Sequence, residues 1–412
     1  MKYYLQKIKK IKNQFGKFNN SEVENVLNVL NNDKIDYVKK LESLFSKKFA
    51  VKYCIACNSG TSGLHTALAS LDLKKGDEVI VPGLTVVMDA YAALHLNATP
   101  VFADVDEDTF LITAETIKSK ITKRTKAIIV VSLQGLPVDI DPIVKLARQK
   151  NIIVIEDNAQ DMLGAYKKRI SGCSGDIGVW SFENKKHLSG ATEGGMISTN
   201  NKLLAEKIRK FAGIGYKNMT ASGGRTSLSI RMVQDPEYER FDTVGLNYRM
   251  PQIVAAVCFS QLKNVKKIVN KRVKVAKYFR EAIKNSKILI EQKTPRYCSH
   301  TNYTFAAKLI DKKIKWKNLY NLYKSKTGDG FYGACVCPHL EPSIKSHLNK
   351  IGCNKCKWKK NKCFCTKKGY LPIAEKIQKQ IIQFKTNYRN LNEAKKKANV
   401  LQKLIRNLEN QQ

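Results

Sequence analysis

The sequence lacks three things, and each absence narrows the reading. No run of apolar residues reaches the roughly 20 needed to cross a bilayer, so no membrane-spanning helix is expected. The N-terminal stretch MKYYLQKIKKIKNQ is basic, but no apolar core follows it, so it does not read as a secretory signal. The cytoplasm is therefore the expected compartment. No internal repeat is visible, which excludes a repeat architecture. Acidic residues are scarce: 35 Asp and Glu stand against 73 Lys and Arg, a net charge of +38. A polyanion such as nucleic acid is one reading of that surplus. Compositional drift fits better, because lysines occupy every segment alongside abundant Asn and Ile. A nucleic-acid binder gathers its lysines on one face, so nucleic acid is not the expected partner.

A sizeable core is available, since 43% of the 412 residues are hydrophobic. The length suits one large domain plus a smaller one. Ser21-Glu22-Val23-Glu24 reads as a capping box that opens a helix through Leu30, and a second helix covers 37–45. Strands and helices then alternate. Strands are expected at 51–58, 77–82, 99–105, 126–133, 151–157 and 175–182, and helices at 61–71, 85–96 and 139–150. Short Val/Ile-rich strands separated by helices predict an α/β fold, a mostly parallel sheet flanked by helices. From about 213 to 243 the pattern dissolves into a polar loop. One long helix is expected over 251–284. The rest reads as α+β: a strand at 302–310 and helices near 315–325 and 391–408. The expected division is a large domain at 1–265 and a small one at 266–412.

The chain holds eleven cysteines. Cys54, Cys57, Cys173, Cys258 and Cys298 are scattered and read as small hydrophobes. Cys335, Cys337, Cys353, Cys356, Cys363 and Cys365 crowd into a Cys/Lys-rich segment at 335–368. Paired thiolates are what a tetrahedral zinc site uses, which makes Cys353, Cys356, Cys363 and Cys365 candidate ligands of a structural zinc. The competing reading is a basic surface loop with free thiols.

In parallel sheets ligands sit at the carboxyl ends of the strands. After the first strand comes Asn58-Ser59-Gly60-Thr61-Ser62, a small turn that opens a helix and presents free N–H groups to an anion such as phosphate. Asp157 ends the strand NIIVIED. It reads either as a helix N-cap or as a carboxylate awaiting a cationic ring nitrogen. Ser181 ends GDIGVWSF, five residues before Lys186 in SFENKKHLSGATEGG. A hydroxyl for phosphate beside an amine for an aldehyde would suit pyridoxal phosphate.

NSGTSGLHTAL, GDEVIVPGLTVV, PVFADVDEDTF, IEDNAQ, GDIGVWSFENKKHLSGATEGG and GLNYRMPQIVAA occur in this order. With LPIAEKIQKQIIQFKTNY near the C-terminus, they resemble the DegT/DnrJ/EryC1/StrS sugar aminotransferases, over nearly the full length. The resemblance implies the PLP-dependent transferase fold type I. It also implies transfer of an amino group from glutamate to a nucleotide-linked 3- or 4-keto sugar, by ping-pong Schiff-base chemistry. The family pattern of Ser, Phe, three variable residues and Lys selects Lys186 over Lys185 as the catalytic amine. It sets Gly60, Thr61 and Ser181 at the phosphate, Asp157 at the pyridine nitrogen and Gln160 at the phenolic oxygen. Asn247 would reach the cofactor of a second subunit, which implies a homodimer with composite sites. Val86 stands where the family often has an aromatic residue stacked on the ring, and the glycine turn carries one extra residue. Related dehydratases have histidine in place of the lysine, and His187 adjoins Lys186, so sugar dehydration is the alternative chemistry. A third reading is a non-catalytic zinc- or polyanion-binding protein on this scaffold.

Overall fold

The computed structural model describes residues 18–31, 34–223, 234–333, 335–351 and 364–411. A seven-stranded sheet organises the N-terminal part. Its strands are β1 (Tyr53–Cys57), β2 (Glu78–Pro82), β3 (Thr99–Ala103), β4 (Thr125–Val131) and β5 (Ile153–Asp157), and beyond a short hairpin, β6 (Ala165–Tyr166) and β7 (Arg169–Ile170), β8 (Ile177–Ser181) and β9 (Gly195–Thr199). The order is β1-β9-β8-β5-β4-β2-β3. Strands β8, β5, β4, β2 and β3 run parallel, while β9 is antiparallel to both β8 and β1. β1 therefore shares the direction of the parallel set, and the carboxyl ends of β1, β5 and β8 lie along one edge. Strands such as EVIVP are buried along their whole length, as expected of a sheet covered on both faces.

Several local expectations change. The N-terminal capping box is made two residues earlier than the sequence suggested. Asn19 Oδ1 accepts from Ser21 N at 2.9 Å, and Glu22 Oε2 accepts from Asn19 N at 2.9 Å. Glu22 rather than Glu24 closes it because Glu22 is buried and also receives Gln261 Nε2 at 2.6 Å. The single long helix is two helices, Gln252–Lys263 and Val265–Ile283, broken at Asn264. There the backbone leaves helical geometry (φ −101°, ψ 7°), and the Asn264 side chain donates to Ser260 O at 3.3 Å. Strand β9 and the helix Lys202–Ala212, capped by Asn201, were not among the expected elements. Part of the expected polar loop, 224–233, lies outside the described residues.

Beyond Asn264 the chain builds a four-stranded antiparallel sheet in the order β10-β12-β14-β13. Its members are β10 (Leu289–Glu291), β12 (Thr304–Leu309), β13 (Tyr332–Gly333) and β14 (Ile381–Lys385), with β11 (Cys298–Ser299) pairing β6 instead. Phe279, Phe305 and Phe384 stack in its core, with Phe279 and Phe384 centroids 4.9 Å apart. The helices Val265–Ile283 and Leu391–Asn410 cover that core. Among the described residues no helix is long and apolar enough to cross a membrane.

Candidate active site

The phosphate turn is a tight seam between two strand ends. Ser59 caps the helix Gly60–Ala69 and forms a reciprocal box with Ser62, each hydroxyl accepting the other's N–H at 3.1 Å. A Cβ on Gly60 would meet Ser181 Cβ at 2.7 Å, so only glycine lets this helix start against β8. Ser181 is buried, and its Oγ accepts from Glu183 N at 3.3 Å, which leaves its own proton to donate. Helix N-terminus and hydroxyl thus stand side by side, an arrangement that suits an anion. Thr61 sits exposed in the first turn of that helix.

From Ser181 the chain enters the lysine loop. Phe182 N donates to Gly194 O at 2.7 Å, and Gly190 N returns to Phe182 O at 2.8 Å. The extra residue of the glycine turn is absorbed at Ala191, which takes φ +72°, while Asn184 N donates to Thr192 O at 3.0 Å. Lys186 N donates to Glu183 O at 2.9 Å, and its Nζ lies 4.8 Å from the centre of the Tyr303 ring. Burial lowers the pKa of this amine below the ordinary lysine range. Asp157 and Glu183 oppose that shift, and Arg272 adds to it. Lys185, its neighbour, is exposed.

Arg272 holds this loop from the other side. Its Nη2 donates to Lys185 O at 2.6 Å and to Lys186 O at 3.0 Å, and its Nη1 donates to Tyr303 O at 2.8 Å. It is buried and has no carboxylate partner among the described residues. A buried cation spent on backbone carbonyls fixes the loop that carries Lys186.

Asp157 is buried at the end of β5, and its Oδ1 accepts from Ala159 N at 2.8 Å. It also stands beside a second buried carboxyl, Asp89, and burial raises the pKa of both. Gln160 is buried, and its Oε1 accepts from Gln134 N at 2.8 Å. With its oxygen engaged, the amide nitrogen is left to donate, and it meets the Cys335 thiol. Gln134 reaches it from a left-handed backbone conformation, φ +58°, a strain that non-glycine residues adopt mainly where the surroundings impose it. Val86 is half-buried in the same region, where Thr85 N donates to Val336 O at 3.2 Å.

His187 sits beside Tyr303, with ring centroids 5.9 Å apart. It is buried, its Nε2 lies 3.2 Å from Thr301 O, and burial first, then Arg272, keeps it well below the usual histidine pKa. Asn247 is not brought to Lys186 within one chain. It is exposed, its Oδ1 accepts from Arg249 Nε at 3.0 Å, and it lines a separate cavity with Glu42 and Arg209. Of the zinc candidates, Cys353, Cys356 and Cys363 lie outside the described residues, and Cys365 is buried. Among the described residues no cluster of His, Cys, Asp or Glu could hold a metal. Cys335, grouped by sequence with that cluster, lines the cleft beside Gln160.

Two cavities of about 610 and 390 Å³ share Lys185, Arg272, Tyr388 and Arg389 at this cleft. Further cations, Lys271 and Lys385, line one or the other, against the single carboxylate of Glu393. Sequence reasoning missed Asp89, Gln134, Arg272 and Tyr303. Asp89 left a signal as the one acid in TVVMDAYAALHL, and Arg272 as the one cation in helical register with Val265, Val269, Ala276 and Phe279.

The sequence model of the DegT/DnrJ/EryC1/StrS aminotransferase family matches residues 14–330. A GDP-perosamine synthase of Caulobacter vibrioides is 38% identical over 248 residues, 60% of this chain and 62% of that protein. The match thus spans less than two thirds of that relative's length. An aminotransferase from Psychrobacter cryohalolentis superimposes with a TM-score of 0.81 at 26% identity, covering 95% of this chain and 98% of that one. The E coli GDP-4-keto-6-deoxy-D-mannose-3-dehydratase with bound hydrated PLP gives 0.78 at 24% identity, covering 93% and 97%, and shows the shared fold.

Proposed function

Because this chain belongs to the DegT/DnrJ/EryC1/StrS aminotransferase family, we propose that it is a pyridoxal-phosphate-dependent aminotransferase. Its donor is glutamate and its acceptor a GDP-linked keto sugar, as the likeness to GDP-perosamine synthase suggests. The observation that carries this reading is the convergence, at the carboxyl ends of β1, β5 and β8, of the Gly60–Ser181 seam, the buried Asp157 carboxyl and the loop that carries Lys186. The residues present fit the cofactor. The Gly60–Ser181 seam is a cradle that a Cβ would fill. Asp157 is a buried carboxyl at the end of β5, which suits a protonated ring nitrogen.

Pyridoxal phosphate, when bound, supplies the aldehyde that receives an amino group and a ring that withdraws electrons from the donor's α-carbon. The protein's part is positioning and proton movement. The helix start at Gly60, with Ser181, holds the phosphate. Asp157 holds the ring nitrogen's proton, and the Gln160 amide donates to the phenolic oxygen. Lys186 serves as the base because burial leaves its amine neutral at lower pH than an exposed lysine. The basic lining from Lys185, Lys271 and Arg389 suits a diphosphate-bearing substrate, which would give part of the +38 charge a local use.

A second copy completes the site in this reading. Asn247 is exposed, and the neighbouring Phe241, Val244, Leu246 and Ile253 expose apolar surface, which suits a homodimer with composite sites. The cytoplasm is the expected setting. Dehydration is the weaker reading, because His187 is buried against Thr301 and Lys186 holds the reactive position. The test is incubation with glutamate and GDP-4-keto-6-deoxymannose, followed by mass spectrometry of the sugar. An amino sugar together with 2-oxoglutarate supports the proposal. A 3-deoxy keto sugar, or no reaction with any nucleotide-linked keto sugar, contradicts it.

A further inference from the structure

The pairing of Asp89 with Asp157 is unusual for its setting. Asp89 lies in the first turn of the short helix Met88–Leu94 and is fully buried. Thr85 Oγ1 donates to Asp89 Oδ2 at 2.6 Å, so one oxygen is held by a residue four positions earlier. The other oxygen, Oδ1, is buried with no donor. Asp157 is equally buried at the end of β5. Its backbone carbonyl accepts from Ser132 N at 3.1 Å and its Oδ1 from Ala159 N at 2.8 Å. The two carboxyls are in hydrogen-bonding contact once one of them carries a proton. Two ionised carboxylates cannot share a dry site without a large penalty, so a proton resides on the pair.

We propose that Asp89 is a positioning residue: held by Thr85 as a neutral acid, it donates its proton to Asp157, keeping Asp157 ionised and aimed where a protonated pyridine nitrogen would lie. The proposal rests on the pyridoxal phosphate reading above. Direction of titration agrees with it. Burial, then the Asp157 charge, pushes Asp89 well above the carboxylate range, while the bond from Asp89 lowers Asp157 against its own burial. The other titratable groups facing the pair are the Lys186 amine and the Cys335 thiol. Burial pushes Cys335 up to about 11, so it keeps its proton through neutral pH. The carboxyl pair therefore presents one negative charge to Lys186, that of Asp157.

The test titrates pyridoxal phosphate onto apoprotein across mildly acidic to mildly alkaline pH, reading the absorbance of bound cofactor rather than turnover. Asp89→Ala is expected to weaken binding by roughly tenfold or more, the range of one hydrogen bond to a charged group. It should also move the acid limb of the affinity profile to higher pH, because Asp157 without a donor takes up a proton sooner. Asp89→Asn keeps a donor at the same place, so its affinity should stay within about threefold of wild type with the limb unmoved. Thermal unfolding of each apoprotein separates misfolding from weakened binding. If Asp89→Ala does not fold, Thr85→Val frees Asp89 without removing it and should weaken binding severalfold. An Asp89→Ala profile that overlays the wild type, or an Asp89→Asn variant as damaged as Asp89→Ala, overturns the proposal while wild-type binding leaves the functional reading intact. A wild-type protein that shows no saturable binding of pyridoxal phosphate overturns both.

Discussion

The two walls of the cleft are built differently. One wall is the carboxyl edge of the seven-stranded sheet, where Gly60, Asp157 and Ser181 stand at or just beyond the ends of β1, β5 and β8, with Lys186 in the loop that follows. These residues are placed by strand ends a few residues away. The opposite wall is Arg272, Tyr303, Cys335 and Thr386, supplied from beyond the helix break at Asn264. Arg272 reaches Lys185 and Lys186 across 87 and 86 residues of chain. The first wall carries the chemistry on rigid strand ends. The second sets the environment: it buries the Lys186 amine, donates to the carbonyls of its loop and adds a cation beside it. If this contrast is right, substitutions on the first wall abolish the reaction, and substitutions on the second shift how and when it runs.

The largest effect belongs to Lys186. Lys186→Ala should lower kcat/KM for amine transfer by about 10⁴-fold or more, since it removes both nucleophile and base. Steady-state assay with glutamate measures this, with circular dichroism checking that the fold persists.

A sharper test of the second wall is Arg272→Met. Removing the guanidinium leaves the carbonyls of Lys185, Lys186 and Tyr303 without their donor, at a cost of about 2–4 kcal/mol in stability, readable by denaturant unfolding. It also removes a cation that depresses the Lys186 pKa. A lysine whose folded pKa rises becomes neutral only at higher pH, so the acid limb of the rate profile should move to higher pH, with kcat falling more than KM changes. If Arg272→Met only destabilises the protein and leaves the pH profile in place, the second wall is cover rather than control.

The smallest effect is expected at Lys185. It is exposed. Lys185→Ala should leave the first half-reaction with glutamate within about threefold, in keeping with the small energies of solvated charges. A larger penalty confined to the nucleotide sugar would mark Lys185 as part of the substrate's anion site.

The sequence disclosed the first wall because its signals are local. Strand-ending residues followed by small turns are visible in NSGTSG, IEDNAQ and SFENKK, and the elements around them formed within a few residues of expectation. The second wall was harder to read because long-range packing brings its members together. Arg272 is one of several basic residues in VKKIVNKRVKVAKYFR, and its helical register with Val265, Val269, Ala276 and Phe279 marks it as the buried one without saying what it meets. Cys335 was read with a thiol cluster because spacing is all the sequence offers, whereas its chain position beside Val336, bonded to Thr85, turns it into the cleft. Strand β9 was missed because GMIST is short and has a glycine where a strand signal would start. Its burial comes from lying between β1 and β8. Asp89 was legible in principle, as a lone acid within an apolar helix.

The most direct test of the central claim is to identify which amine meets the cofactor. The protein would be incubated with pyridoxal phosphate, reduced with borohydride and digested, and the modified peptide sequenced by mass spectrometry. The label is predicted on Lys186 and absent from Lys185, despite the greater exposure of Lys185. A label on Lys185, one spread over surface lysines, or none at all would contradict the account.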